Sequence, residues 1–425
     1  MRTLAPSGDA GQCETESVLL VGCDIGYECH ALAILDNSGV LLEKLPRVYN
    51  NRRGFDFLKS RIEHWQQMTG AARAIIAFEP TGHYWKPLVH YLREQRMEVR
   101  FIKTTAVKAM RELTDSTPSK NDRRDAVTLA LLLKEGRVLK GQPLQGVWRE
   151  LRDLVTYRHK LHEEHIAYLL RLRAMIDTFF PELTKVFTDT NALGLWRFLD
   201  EAPFPEDLIM LGEEWLIGHL KRWTRKGESP ENKAKALFEA AKQSIGLPPS
   251  IGDRRHIASI LRLLANYKKE LHQVEREMGR VLMETGYGEI LLSFPGVGVI
   301  TAATFVGELG NPEDFENANQ VVSFIGIDPS EKSSGKRQSR NRISKKGRPL
   351  MRTNAYHMAM SAVLHCPELR DYYAARKEEI ESGKLDLKPM QLLFAVAIKQ
   401  TRMLFAMCRD RQAYQPGFIE MRNAA

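Results

Sequence analysis

Short apolar runs alternate with segments of helical spacing from residue 17 to about residue 135, and this alternation restricts the N-terminal third to an α/β layer. The first run, Val18–Cys23, is compact enough for a buried strand. Two further runs, His30–Leu35 and Val40–Leu42, flank the turn-forming spacer Asp36-Asn37-Ser38-Gly39. This pair predicts a β-hairpin.

The pattern then becomes helical over Asn50–Met68, with a stop at Gly70. Ala74–Phe78 and Val99–Ile102 predict two more buried strands, each followed by a helical segment, including one at about 124–135. A ribonuclease-H-like sheet has this order of elements: three strands, a helix, a strand, a helix, a strand and a helix. We therefore predict an α/β domain with a central mixed sheet over residues 17–145.

Two long helices are predicted in the middle of the chain, at Leu151–Phe180 and from about Asp253, which can cap the second helix. Apolar residues of the second helix recur in alternating steps of three and four: Ile257, Ile260, Leu264, Tyr267, Leu271, Val274, Met278 and Val281. This heptad is typical both of an antiparallel hairpin within one chain and of a coiled coil between two subunits, and the pattern alone does not separate them. Residues 146–285 form this helical region, with a helical insert at 181–250.

The last third is predicted to be mainly helical over residues 286–410, between the helical region and a tail at 411–425. The segment Phe294–Thr301 is a glycine turn that opens into a helix. Such a turn either joins two helices or, as in helix-hairpin-helix modules, brings backbone N–H groups close to a phosphate. A second turn, Gly326–Pro329, precedes a basic loop.

Composition excludes several classes of protein. The hydrophobic content of 43% excludes a wholly disordered chain, although residues 1–16 are expected to form a disordered tail. The net charge of +9 favours nucleic acid as a partner. Five irregularly spaced cysteines match neither a disulfide framework nor a zinc site. With no visible signal peptide or membrane span, we expect a cytoplasmic protein, nucleoid-associated when it acts on DNA, without a membrane partner.

Four carboxylates stand where an α/β sheet binds ligands. Asp24 and Glu79 end two buried strands, and Asp122 and Asp125 share one face at the start of a helix. Any one of them could be a loop residue or, for Asp122, a helix cap. In the ribonuclease-H order the four converge, and a divalent cation, best Mg²⁺, would relieve their mutual repulsion. Such a site polarises a phosphodiester.

A second cluster is the basic loop after residue 331, where nine Lys/Arg residues and no acid occur between Lys332 and Arg352. A solvated loop is one interpretation, but this imbalance favours contacts with phosphates. The predicted nucleic-acid-binding residues are Lys336, Arg337, Arg340, Arg342, Lys345, Lys346 and Arg348. Ser333 and Ser334 lie beside Gly335 in this loop, and a serine hydroxyl there attacks only with a base, a metal or an electropositive site to activate it.

Several motifs together resemble a known family. The N-terminal motifs are Gly22-Cys23-Asp24-Ile25-Gly26, Phe78-Glu79-Pro80-Thr81-Gly82 and Lys120-Asn121-Asp122-Arg123-Arg124-Asp125-Ala126. The C-terminal motifs are Phe294-Pro295-Gly296-Val297-Gly298, Gly326-Ile327-Asp328-Pro329, Ser333-Ser334-Gly335 and Ile343-Ser344-Lys345-Lys346-Gly347. They resemble the DEDD domain and the C-terminal transposase domain of bridge-RNA-guided insertion-sequence transposases, which are related to the Piv DNA invertases.

The resemblance implies a RuvC-like N-terminal domain, a coiled-coil segment and a serine-bearing C-terminal domain. It implies a recombinase that cuts and rejoins DNA. The matching positions make Asp24, Glu79, Asp122 and Asp125 catalytic ligands of Mg²⁺ or Mn²⁺. Ser334 would attack the scissile phosphate and form a phosphoserine link, and the adjacent Ser333 is not excluded.

The resemblance also implies partners. A structured noncoding RNA would pair with the element ends and the target DNA, so that base pairing selects the sequence. The acidic site of one subunit and the serine of another would form a composite site in a homo-oligomer, a dimer or a dimer of dimers, and this favours the intermolecular coiled coil. The shortest relatives lack the insert 181–250.

Two alternatives remain. One is a metal-dependent RuvC-like nuclease, for instance a junction resolvase, with water as the nucleophile. The other is a nucleic-acid-binding protein without catalysis, against which the presence of all four acids counts.

Overall fold

The computed structural model describes residues 17–80, 82–114, 122–139, 144–222, 229–330, 333–334, 337–338 and 342–417. They fall into two compact units, Met1–Pro143 and Leu144–Ala425. The first unit contains a five-stranded mixed sheet with helices, and the second is mostly helical. The predicted α/β N-terminal region and helical remainder are therefore confirmed, whereas the expected tail at 1–16 and residues 418–425 lie outside the described residues.

The sheet of the first unit is built around its first strand. Its strands are β1 (Val18–Asp24), β2 (Cys29–Leu35), β3 (Leu41–Tyr49), β4 (Arg73–Phe78) and β5 (Glu98–Phe101). Its helices are α1 (Arg52–Thr69), α2 (Trp85–Glu94), α3 (Thr104–Thr114) and α4 (Asp122–Lys134). The strand order is β3-β2-β1-β4-β5, in which β2 pairs antiparallel with β1 and β3, and β4 pairs parallel with β1 and β5.

Both faces of this sheet are covered, which explains the continuous apolar runs of its inner strands. Leu19, Val21 and Phe78 belong to one core cluster with residues of α1 and α2. On the opposite face, Leu20 and Ala77 belong to a second cluster with residues of α3 and α4.

The third strand is longer than its apolar run predicts. It is an edge strand in which only Leu45 and Val48 are buried, and charged residues and Pro46 interrupt its apolar positions after Leu42. Pro46 lies within it, as an edge strand allows because one side of the strand makes no ladder hydrogen bonds.

The second unit consists of twelve named helices within its described residues. They are α5 (Gly146–Phe179), α6 (Leu183–Val186), α7 (Leu193–Glu201), α8 (Pro205–Leu220), α9 (Pro230–Lys242), α10 (Ile251–Glu284), α11 (Gly288–Leu292), α12 (Val299–Leu309), α13 (Ala318–Ile325), α14 (Pro349–His365), α15 (Pro367–Glu381) and α16 (Pro389–Asp410). Helices α6 to α9 lie within residues 181–250, where the sequence predicts a helical insert. No helix in the described parts of the chain is both long and apolar enough to cross a membrane.

The two long helices, α5 and α10, pack along each other in opposite directions. Near the start of α5, Glu150 accepts a hydrogen bond from Arg280 near the end of α10, at 3.0 Å. Farther along α5, Glu164 accepts one from the Tyr267 hydroxyl at 2.7 Å. Residue numbers rise along one helix as they fall along its partner, so the pair is an antiparallel hairpin within one chain.

The heptad stripe of α10 is used inside this hairpin. Leu264 and Met278 are fully buried, and Tyr267 is partly buried in the same seam. The packing therefore supports the intrachain interpretation, because residues of the same chain already cover the apolar stripe of α10.

The predicted cap of α10 was misplaced by three residues. Ser250 is the N-cap, and its hydroxyl accepts a hydrogen bond from the Asp253 N–H at 3.2 Å. The Asp253 carboxylate accepts one from the Ser250 N–H at 2.9 Å. The two residues form a reciprocal capping box, in which an acid at the third position resembles a cap in the sequence.

We expect Leu264→Ala to lower the free energy of unfolding of the helical unit by about 2–5 kcal/mol, because it leaves a cavity in the seam. Met283→Ala, at a position 45% exposed on the same helix, is the matched control and should have little effect. Urea unfolding followed by circular dichroism measures both. An unchanged unfolding curve for Leu264→Ala together with a smaller particle in size-exclusion chromatography would show that the seam joins subunits instead.

Candidate functional site

Two of the predicted carboxylates lie side by side at one edge of the sheet. Asp24 is the last residue of β1, and Glu79 directly follows β4. The parallel register pairs Cys23 with Phe78, so Asp24 and Glu79 are the next neighbours, on strands about 4.8 Å apart. Since side chains alternate along a strand, both carboxylates project on the face of Gly22.

The third carboxylate is brought to this face by an unusually close helix. A Cβ on Gly22 would lie 1.9 Å from the Ala126 carbonyl oxygen and 2.6 Å from the Ala130 amide nitrogen. Backbone therefore lies directly on backbone where α4 crosses β1, and only glycine fits there. Asp125 adjoins Ala126 and is buried, with 8% of its surface exposed.

The direction of α4 decides at which end of the sheet Asp125 lies. Lys134, the last residue of α4, donates a hydrogen bond to the Ser38 carbonyl in the turn between β2 and β3. That turn lies at the end of the sheet where β1 begins, because Leu20 pairs with Leu35. The N-terminal end of α4, with Asp125, therefore points toward the end of β1 at which Asp24 lies.

The structure thus places Asp24, Glu79 and Asp125 on one face and at one end of the sheet. Asp122 begins α4 one turn before Asp125, and its side chain lies outside the described residues. Among the side chains that the structure describes, no three His, Cys, Asp or Glu residues lie close enough together to hold a metal ion. The role of the four acids therefore stays a prediction.

Cys23, the cysteine beside this site, is fully buried. Burial raises the pKa of the Cys23 thiol well above its usual value, and the negative charge of Asp24 adds to this shift. The thiol is therefore protonated at neutral pH.

In the second unit, the glycine turn predicted at Phe294–Thr301 opens into α12, with Gly298 as the N-cap. The Ser361 hydroxyl, on α14, donates a hydrogen bond to the Gly296 carbonyl at 2.7 Å. A Cβ on Gly298 would meet open space, so the approach to the first N–H groups of α12 is clear on that side.

The basic segment is not the plain loop that its polar sequence predicts. Strand β6 (Pro329–Ser330) pairs antiparallel with β9 (Arg342–Ile343), and β7 (Ser333–Ser334) pairs antiparallel with β8 (Arg337–Gln338). Ser334 is opposite Arg337 in this register. Polar two-residue strands have no hydrophobic alternation, which is why the sequence did not predict them.

Much of the predicted nucleic-acid surface cannot be placed on the structure. Lys336 and Arg340 lie outside the described residues, as do the side chains of Ser333, Ser334, Arg337 and Arg342. Lys345 and Lys346 are described and exposed.

Strands β6 to β9 form a hairpin, and its base is held by contacts that the sequence motifs did not reveal. The Ser344 N–H donates to the Asp328 carbonyl at 2.9 Å, and the Ser344 hydroxyl donates to the Asp328 carboxylate at 2.5 Å. Gly326, at φ 78°, packs so closely on Gly347 that a Cβ would lie 2.5 Å from its amide nitrogen. Arg352 donates to the Gly347 carbonyl at 2.8 Å. The motif Gly326–Pro329 was the available signal, although it indicated only a turn.

Arg348, predicted to contact nucleic acid, has a partner within the protein. Its guanidinium donates to the carboxylate of Glu308 at 2.7 Å, and the Glu308 side chain is only 5% exposed. Burial, followed by the positive charge of Arg348, lowers the pKa of the nearby Arg152 to about 10. Arg152 is still protonated at neutral pH and donates to the Gly307 carbonyl at 2.9 Å. Arg348 thus neutralises a buried acid.

We expect Gly22→Ala to destabilise the first unit by about 1–3 kcal/mol, because the new methyl group would push α4 away from β1. The same displacement would move Asp125 and lower DNA cleavage. The control is Gly218→Ala, at a glycine whose Cβ would meet nothing within 4 Å. Thermal unfolding and a cleavage assay measure both effects, and a wild-type unfolding curve for Gly22→Ala would contradict the packing described.

Arg348→Ala should cost about 1–3 kcal/mol of stability, because it leaves the nearly buried Glu308 carboxylate without this partner, while solvent screens the 39% exposed Arg348. Lys346→Ala, at an exposed position, should leave stability unchanged and instead reduce the salt dependence of nucleic-acid binding by about one unit of log–log slope. Chemical unfolding and binding titrations over a range of salt concentrations separate the two roles. A stable Arg348→Ala variant with a reduced salt slope would make Arg348 a phosphate contact.

Comparison with known sequences identifies both ends of the chain. An IS110-type DEDD transposase domain matches residues 21–181. A domain described as transposase of the IS116/IS110/IS902 family matches residues 288–374. The first match contains all four predicted acids, and the second contains Ser333, Ser334 and the basic segment.

Individual relatives agree with these matches. A 43.6 kDa protein of insertion element IS110 from Streptomyces coelicolor is 24% identical, over 96% of this chain and 99% of the relative. The transposase of IS1111A from Coxiella burnetii is 22% identical, over 70% of this chain and 69% of its own length. A 44.8 kDa protein of IS116 from Streptomyces clavuligerus is 26% identical, over 63% of this chain and 65% of the relative. The chain therefore carries both transposase domains of the IS116/IS110/IS902 family and is a DNA transposase of the insertion-sequence type.

Proposed function

We propose that this transposase cuts and rejoins DNA with a divalent-metal carboxylate site and a serine nucleophile, guided by a structured noncoding RNA. The single observation that carries the proposal is the packing of α4 on Gly22, because it brings Asp24, Glu79 and Asp125 to one end of the sheet. The sheet order β3-β2-β1-β4-β5 supports a ribonuclease-H-like, RuvC-like domain for this site.

The chemistry of the donor set fits Mg²⁺ or Mn²⁺. The side chains concerned offer only carboxylate oxygens, which hard divalent cations prefer. Asp24, Glu79 and Asp125 would hold the ion, and Asp122, one turn before Asp125, would add a fourth carboxylate. The bound ion would supply charge stabilisation to the phosphodiester oxygens. Divalent-metal dependence also fits the DEDD transposase domain that matches this region.

Nucleophilic attack on the scissile phosphate would be made by a serine of the basic hairpin in the second unit. A bond would form between the Ser334 hydroxyl oxygen and phosphorus as a phosphorus–oxygen bond to the leaving deoxyribose breaks. The serine proton would pass to a base, and the leaving oxygen would take up a proton. The clamp of Asp328, Ser344 and Arg352 supports this role, because holding the base of the segment that carries the nucleophile lowers the entropy lost in reaching the phosphate.

Guide-RNA and oligomer partners are proposed from the resemblance of the motifs. The exposed lysines at positions 345 and 346 suit contacts with nucleic-acid phosphates. Because the heptad stripe of α10 is covered by α5, a dimer that joins an acidic site to another subunit's serine would use other surfaces.

The experiment is a denaturing gel of purified protein with labelled element-end DNA, its flanking RNA and Mg²⁺. Wild type should give cut strands and a protein–DNA adduct. Asp24→Asn should abolish both while binding nucleic acid normally, since it removes metal affinity and no positive charge. Ser334→Ala should abolish the adduct, and Ser333→Ala is the matched control that keeps it.

The same gel tests the alternative, a RuvC-like nuclease or junction resolvase with water as the nucleophile. Free cut strands without an adduct, unaffected by either serine change, would establish that alternative. Normal cleavage by Asp24→Asn would contradict the carboxylate site itself.

A further inference from the structure

We propose that Tyr27 and Tyr84 form a platform on which an unpaired base of the DNA strand stacks beside the carboxylate site. The inference rests on the proposed function for its substrate. It adds a binding site for one nucleobase next to the phosphate that the acids would engage.

The two tyrosines come from neighbouring loops and touch each other. Their ring centroids are 5.3 Å apart with the planes at 64°, an edge-to-face contact. Tyr27 is 69% exposed and Tyr84 is partly buried. Such a contact uses at most one face of each ring, so the Tyr27 ring remains open to a ligand.

The position of the pair follows from the strands that precede it. Tyr27 is three residues beyond Asp24 at the end of β1, and Tyr84 is five residues beyond Glu79 at the end of β4. Since β1 and β4 are parallel neighbours, both loops leave the sheet at the edge where the two carboxylates lie. A strand with its phosphate at the acids would therefore pass the tyrosine pair.

The loop that carries Tyr27 is held firmly. Its Gly26 N–H donates a hydrogen bond to Nδ1 of the buried His30 at 3.3 Å, and the Asn50 side chain donates to the Tyr27 carbonyl at 3.2 Å. A Cβ on Gly26 would lie 2.2 Å from the Cys29 carbonyl oxygen, so the turn is as tight as glycine allows. An exposed ring on a fixed backbone is preorganised for binding.

The loop that carries Tyr84 is anchored separately. The indole N–H of Trp85 donates to the Gly82 carbonyl at 3.2 Å, and its ring packs edge-on against Phe101 at 4.9 Å. The exposed His83 ring lies 4.2 Å from Tyr84 and extends the aromatic row. Trp85 supplies the contact of this loop with the core.

The chemistry of this surface suits a nucleobase. Bases stack on exposed aromatic rings with little sequence preference, at about 1–3 kcal/mol per base, which corresponds to roughly 5- to 150-fold in affinity. A paired base inside a duplex shows no free face, so the ligand is a base that has left the stack. Single exposed tyrosines are common on protein surfaces, and what distinguishes this pair is its position beside the two carboxylates.

The test is a binding titration with short single-stranded DNA that carries 2-aminopurine at successive positions, in buffer without divalent cations so that no cleavage occurs. Tyr27→Ala and Tyr84→Ala should weaken binding by roughly 5- to 150-fold and abolish 2-aminopurine quenching, while Tyr27→Phe keeps both. Tyr49→Ala removes a similarly exposed tyrosine (54%) on β3 and is the matched control, expected to bind like wild type. Thermal unfolding confirms that each variant is folded.

Several results would overturn the platform. They are unchanged binding by Tyr27→Ala, an equal loss with Tyr49→Ala, the same loss on a fully paired duplex, or tyrosine dependence on an RNA strand only. The proposed function is judged separately with Asp24→Asn, which should lose cleavage but keep the quenching. If Asp24→Asn loses cleavage while the tyrosine variants bind normally, the platform alone fails. If Asp24→Asn cleaves normally while binding depends on the tyrosines, the carboxylate site alone fails.

Discussion

The contact between Gly22 and the backbone of α4 is the constraint on which the candidate acidic site depends. No other residue lets the carbonyl of Ala126 approach β1 so closely. The contact fixes the height of α4 above the sheet, and Lys134 at its far end fixes its direction. Together they place Asp125 at the end of the sheet where Asp24 and Glu79 lie. The three acids reach this end through a missing side chain and not through an attraction between them, since like charges repel one another.

The second unit relies on a different device, the burial of charge in pairs. The nearly buried Glu308 would be costly alone, and Arg348 at 2.7 Å compensates it. The hairpin that carries Ser333 and Ser334 lies shortly before Arg348 in sequence. A hydrogen bond between Ser344 and Asp328 closes its base. The base of this hairpin is therefore held by hydrogen bonds, and the segment that it closes is rich in Lys and Arg in sequence.

The sequence predicted the inner strands and the long helices well, because apolar runs and heptads report burial directly. It also placed Asp24 and Glu79 at strand ends. It underestimated β3, whose edge position leaves few buried residues, and it missed the hairpin strands, which have no apolar alternation. It gave no sign that Arg348 pairs with Glu308, because a charge count cannot reveal an acid 40 residues away in sequence. The heptad of α10 did not distinguish an intrachain hairpin from a coiled coil between subunits, because the apolar pattern does not specify which helix packs against it.

The central claim, that carboxylates from β1, β4 and α4 hold one divalent ion, is tested most directly by titrating Mn²⁺ into the purified protein and following its electron paramagnetic resonance. Wild type should bind the ion, and Asp24→Asn and Asp125→Asn should each lose it. Glu63→Gln, which changes an acid about half exposed on α1, should retain it. Equal Mn²⁺ binding by wild type and both aspartate variants, or no binding by wild type, would contradict the claim.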